Sequence, residues 1–177
     1  MYNKLKFNDN CIKLNYESLE KNNIKILKYA TKTCDYFSLI THLKKPYSKR
    51  PPLCDHDEIL LEIKPYLLNQ IIGIRKWSNN GVNNNHIVMN VYKCCRETRF
   101  FLVNSADYFN PAKDKLPEDI CFYRKRAVWL ATVSHERLAF IYSFNEEDRS
   151  FLEKLGCSYG FEPFIEHYHL PVVKNNM

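Results

Sequence analysis

Short stretches in which apolar and polar residues alternate recur along this chain, and a period of two is the signature of β-strands with one buried face. The pattern predicts strands over residues 24–29, 34–41, 71–77, 86–95, 99–103, 120–123, 127–133 and 138–142. In the last two, Val128 and Leu130 alternate with Trp129, Ala131 and Val133, and Leu138, Phe140 and Tyr142 alternate with Ala139 and Ile141. The four residues between them, Ser134-His135-Glu136-Arg137, predict a tight antiparallel connection. Residues 86–95 and 99–103, with a turn at 94–98, suggest a second antiparallel pair.

Helical spacing occurs in two places. Residues 55–70 open with Asp55 and Glu58 at capping-box-like spacing, then Ile59, Leu60, Ile63 and Leu67 recur on one face. Pro65 removes a backbone donor and kinks or splits that helix. The stronger helix follows Asn145, where Asp148 stands three residues on and Glu146 and Glu147 place negative charge in the donor-rich first turn. Phe151, Leu152 and Leu155 form its apolar face, and Gly156 can end it in the left-handed conformation.

These elements give an α+β fold: a single domain with a predominantly antiparallel sheet and two or three packing helices. A length of 177 residues fits one domain, with residues 1–23 a loosely attached start and residues 161–177 an irregular end, whose strand-like composition, broken by Pro163 and Pro171, points to an edge strand or an irregular tail. Two further segments read as exposed loops. Residues 44–52 carry three prolines among like charges, and residues 104–119 carry two prolines with Tyr108 and Phe109 as anchors.

Composition narrows the chemistry. A hydrophobic content of 45%, with 14% aromatic, supports a packed core. Four glycines leave no glycine-rich phosphate cradle. The seven cysteines are irregularly spaced without a Cys-x-x-Cys pair, which predicts buried thiols in a reducing cytoplasm. No signal peptide or long apolar run is visible, so neither export nor a membrane partner is expected, and no cofactor or metal site is predicted.

A formal charge of +6 favours an acidic partner. The positive groups are Lys44, Lys45, Lys49 and Arg50; Lys93, Arg96 and Arg99; and Arg124, Lys125 and Arg126. Tyr47, Trp77, Tyr92 and Tyr123 are candidates for stacking beside them. Two motifs fail on inspection. His135-Glu136 resembles half of a zinc-hydrolase signature, but position 139 is Ala where the second histidine must stand. Glu62-Ile63-Lys64 resembles half of a nuclease site, but it falls on a helix where both charges face solvent.

The leading expectation is a non-enzymatic macromolecule-binding protein: an inhibitor, immunity factor or adaptor whose partner is another protein with an acidic surface. Tyr47, Arg50, Trp77, Tyr108, Arg124 and Arg126 are its candidate partner contacts. The alternative is RNA or DNA binding, or a phosphodiester-cleaving enzyme. In that enzyme His135, Glu136, Arg137, His167 and His169 converge, because imidazoles exchange protons near neutrality and a guanidinium can meet a phosphate. Convergence of those five side chains is what separates the two readings.

Overall fold

The computed structural model describes residues 11–42, 57–72, 87–104, 109, 117–125, 127–142 and 144–162. Its strands are β1 (Cys11–Leu14), β2 (Tyr36–His42), β3 (Leu67–Ile72), β4 (Ile87–Lys93), β5 (Glu118–Arg124), β6 (Ala127–Val133), β7 (Leu138–Ile141) and β8 (Tyr159–Glu162). They form one sheet in the order β3-β4-β2-β5-β6-β7-β1-β8, with every adjacent pair antiparallel. The helices are α1 (Tyr16–Lys21), α2 (Asn23–Thr33), α3 (Asp57–Leu60), α4 (Arg96–Asn104) and α5 (Glu146–Lys154). The chain is thus a single α+β domain built on a large antiparallel sheet.

The helices converge on one face of the sheet. Leu19 of α1, Ile26 and Leu27 of α2, Leu102 of α4 and Leu152 of α5 join sheet residues such as Phe37 and Trp129 in one buried cluster. The other face carries a second buried layer that includes Ile40, Met89, Val91, Cys121, Val128 and Phe140. Alternation along each strand supplies both layers, so the central strands are apolar on both sides. Tyr92 and Tyr123 belong to this interior, which removes them as stacking platforms.

Two expected strands are helices. Residues 24–29 lie within α2, where Ile26, Leu27, Ala30 and Thr31 are buried at spacings of a helical face and Ile24 is exposed. Residues 99–103 lie within α4, which buries Thr98, Phe101 and Leu102 and leaves Phe100 exposed. The Thr98 hydroxyl helps to start α4 by accepting from the Cys95 amide at 3.0 Å and donating to the Lys93 carbonyl at 2.9 Å. In both segments strand-favouring side chains fit a period of two over a few residues, and packing against the sheet selects the longer period.

The expected helix over residues 55–70 is also shorter. α3 passes into a 3-10 turn, Leu61–Tyr66, that contains Pro65, and the chain is extended from Leu67 onward. The strand expected at residues 71–77 therefore begins at Leu67. Residues 11–22, read as a loosely organised start, supply β1 between β7 and β8 and then α1.

The connections that matter for the surface are fixed by side chains. Asp35 accepts the Lys125 amide at 2.7 Å, holding the turn after β5, where Lys125 has φ 49°. The tight link from β6 to β7 is a 3-10 turn, Ser134–Glu136, closed by Arg137 at φ 54°. The Ser134 amide donates to buried Asp119 at 2.7 Å, which anchors this turn to β5. α5 starts with a capping box between Asn145 and Asp148, and Gly156 follows at φ 66°, both as expected.

Candidate functional site

The polar turn between β6 and β7 brings His135, Glu136 and Arg137 to the surface. His135 Nε2 lies 3.6 Å from Glu136 Oε1, and both side chains are in contact with solvent. Arg137 turns away from them. Its guanidinium pairs with Glu20 of α1 through two hydrogen bonds, at 3.2 and 3.0 Å, and lies 5.3 Å from the centre of the Tyr16 ring. Tyr16 in turn donates to the Phe109 carbonyl at 2.6 Å, and burial pushes its hydroxyl up to about 12. This arrangement fastens the turn to α1. Both charged nitrogens of Arg137 that would meet a phosphate already face a carboxylate. His167 and His169 lie outside the described residues.

Arg124, by contrast, is committed inward. Its nitrogens contact the Asp148 carboxylate at 3.2 and 3.0 Å and the Thr33 hydroxyl at 3.0 Å, and the guanidinium lies over Trp129 at 5.1 Å. Asp148 is fully buried and accepts a further bond from Tyr29 at 3.0 Å. Tyr29 stacks on Phe151 with ring centres 3.9 Å apart. Through these contacts β5, α2 and α5 meet at one carboxylate. Tyr47, Arg50, Trp77, Tyr108 and Arg126 lie outside the described residues.

Three of the described thiols are not activated nucleophiles. Burial pushes Cys34 up to about 12 and raises Cys94 and Cys121 as well, so these groups stay protonated at neutral pH. Among the described residues, no group of three or more His, Cys, Asp or Glu side chains could hold a metal ion. No described helix is long and apolar enough to cross a membrane.

Among the described residues, α2, α4 and the 3-10 turn after α3 meet at a surface that combines charge with exposed apolar groups. An open groove of about 630 Å³ lies there, bordered by Lys28, Arg96, Arg99, Glu62, Glu97 and Phe100. Phe100 is 66% exposed, far more than an aromatic side chain in a packed helix needs to be, and Leu61 and Ile24 are exposed on neighbouring elements. On α2, Lys25, Lys28 and Lys32 follow one another at spacings of three and four and are all exposed, which makes one basic helix face. α2 contains no acidic residue. Glu97 keeps its charge readily, since a hydrogen bond from its own backbone amide, and then one from the Cys95 side chain, hold its carboxyl below the usual value.

No family model, curated protein or solved structure matches this chain. The site must therefore be read from its own geometry.

Sequence reasoning grouped Arg96 and Arg99 with Lys93 but missed Phe100, Ile24 and the α2 lysines as a surface. A strand pattern in both segments makes Phe100 a core residue, whereas the helices expose it. The legible signal was the spacing of Lys25, Lys28 and Lys32, which only becomes a face once the segment is helical.

Proposed function

We propose that this protein is a non-enzymatic binding module that docks an acidic protein surface on the groove between α2 and α4, in the manner of an inhibitor, immunity factor or adaptor. The observation that carries this reading is Phe100, an exposed aromatic set among Lys28, Arg96 and Arg99. Binding hot spots combine this chemistry: a large apolar anchor that loses its contact with water, and charges that set orientation and encounter rate. Glu62 and Glu97 on the same rim favour a protein partner over a phosphate backbone, because a polyanion would be repelled by both, whereas a protein face can present cations to them.

The pairing of Arg137 with Glu20 on the surface supports a binding role over phosphodiester cleavage, since the guanidinium proposed to meet the phosphate already faces a carboxylate. A cytoplasmic setting belongs to the same proposal and rests on the buried thiols of Cys34, Cys121 and Cys157, which are not in disulfides.

The test is capture of partners on the tagged full chain, with and without nuclease, beside a Phe100→Asp chain. The reading expects a protein retained in stoichiometric amount after nuclease treatment and lost from the Phe100→Asp chain. Nuclease-sensitive capture alone would overturn it in favour of nucleic acid, and equal capture by both chains would remove the groove.

A further inference from the structure

β3 closes one side of the sheet, and among the described residues only β4 pairs with it. Its sequence, Leu67-Leu68-Asn69-Gln70-Ile71-Ile72, contains no charge and no proline. Exposed sheet edges are normally protected from other strands by lysines, prolines or inward-pointing charges, because their open amides and carbonyls attract further strands. This edge has one irregularity, a register shift between Leu67 and Asn69, and from Asn69 to Ile72 the ladder with β4 is regular.

The hydrogen bonds fix which way the strand faces. The Gln70 amide donates to the Asn69 side chain at 2.9 Å, while the Gln70 side chain donates to Asn90 of β4 at 2.7 Å. In an antiparallel ladder both backbone groups of a residue point to the same side. Gln70 therefore presents its amide and carbonyl to the side away from β4, which no other described strand pairs with, and by alternation so does Ile72. Exposure alternates as well: Leu68, Gln70 and Ile72 are exposed, while Leu67, Asn69 and Ile71 are half-buried. Leu68 is 53% exposed and Ile72 56%, and they stand two residues before and after Gln70, Leu68 at the register shift.

We propose that this edge is a self-association surface, on which two copies pair their β3 strands antiparallel about a two-fold axis through Gln70. A two-fold axis perpendicular to the sheet keeps each face on its own side, so residue and partner position must lie an even number of steps apart. With the axis at Gln70, Leu68 of each copy lies opposite Ile72 of the other, and Asn69 lies opposite Ile71. Both exposed apolar side chains of the strand are then covered, and Gln70 exchanges amide and carbonyl bonds with its own copy. The Asn69 side chain releases the Gln70 amide in doing so. A second copy carries the same positive charge, but none of it sits on the strand, so the pairing opposes no like charges directly. This surface is separate from the α2–α4 groove and does not depend on it.

Sedimentation of the full chain over a range of concentrations tests the proposal, with Ile72→Lys and Leu68→Lys chains beside it. A reversible dimer is expected, with each lysine weakening it by about tenfold or more while the circular dichroism is unchanged. Gln70→Pro, which removes an amide that β4 does not use, is expected to act in the same way. Opposed residues of a hydrogen-bonded pair lie about 5.5 Å apart at Cα, within reach of a disulfide. Mild oxidation of a Gln70→Cys chain should therefore give a reducible dimer, beyond any formed by the parent, where Asn69→Cys does not. A monomer at every concentration would overturn the proposal, as would a dimer indifferent to all three edge substitutions or crosslinking at position 69 as efficient as at 70.

Discussion

Replacing Asp148 by asparagine removes the charge at the point where three elements meet, and the cost can be worked from the contacts. Oδ1 accepts from Tyr29 and Arg124, and Oδ2 accepts from Arg124 and the Asn145 amide. An asparagine has one acceptor oxygen, so either orientation turns an NH2 group towards two donors. Breaking one side of a buried ion pair costs about 3–5 kcal/mol, because the remaining charge has lost its partner. The Arg124 side chain is 21% exposed and can recruit some water, whereas Asp148 is 0% exposed, so the lower end applies, about 3 kcal/mol. That is a large share of a domain's total stability of about 5–15 kcal/mol. Denaturant unfolding of the parent, Asp148→Asn, Arg124→Gln and the double variant measures it. Asp148→Asn should lower stability by about 3 kcal/mol and Arg124→Gln by about 5 kcal/mol, because the charge that the second change leaves behind is fully buried, and the double variant should fall well short of their sum because both remove the same interaction. A loss below about 1 kcal/mol for Asp148→Asn, or strict additivity, would refute the reasoning. The same series tests the role of Arg124, which holds the fold together in this structure.

Other outcomes follow from the same contacts. Tyr29 and Tyr123 are held above their ordinary value, and Cys34 is raised from 9.0 to about 12, all chiefly by burial. The folded state therefore keeps protons that the unfolded state gives up. The contribution of Cys34 is complete below pH 9 and declines as pH rises towards 12, with the tyrosines adding to the loss above 10. Ultraviolet titration should show these tyrosines ionising only as the chain unfolds, and free ionisation near pH 10 in folded protein would contradict the burial. Gly156→Ala should cost about 1–2 kcal/mol in denaturant melts, from left-handed strain alone, since nothing lies within 4 Å of an added Cβ. Arg137→Ala should change stability by less than about 1 kcal/mol, because its pair with Glu20 is on the surface.

How much of this was legible depended on where each signal resides. The start and end of α5 are local backbone devices, a capping box at Asn145 and Asp148 and a left-handed Gly156, and the sequence displays both. The strands β2, β4, β5, β6 and β7 were visible through alternation. α2 and α4 were not, because Ile24, Ile26, Phe100 and Phe101 satisfy a strand pattern over short windows and only the sheet beneath them selects the helix. β1 is four residues long, and its partners in β7 lie far along the chain, beyond any local pattern. The site suffered from the same cause. Arg137 and Glu20 are separated by 117 positions, so nothing in the sequence revealed that the guanidinium was occupied. Phe100 became a surface residue only when its segment became a helix.

The proposed docking of an acidic protein on the α2–α4 groove depends on Phe100 and its basic neighbours. The most direct measurement is a calorimetric titration of the captured partner against the parent chain and against Phe100→Asp and Arg99→Glu chains that retain the parent's circular dichroism. Phe100→Asp should weaken binding by more than about tenfold, or 1.4 kcal/mol, and Arg99→Glu should weaken it less at high salt than at low salt. Unchanged affinity in both folded variants would contradict it.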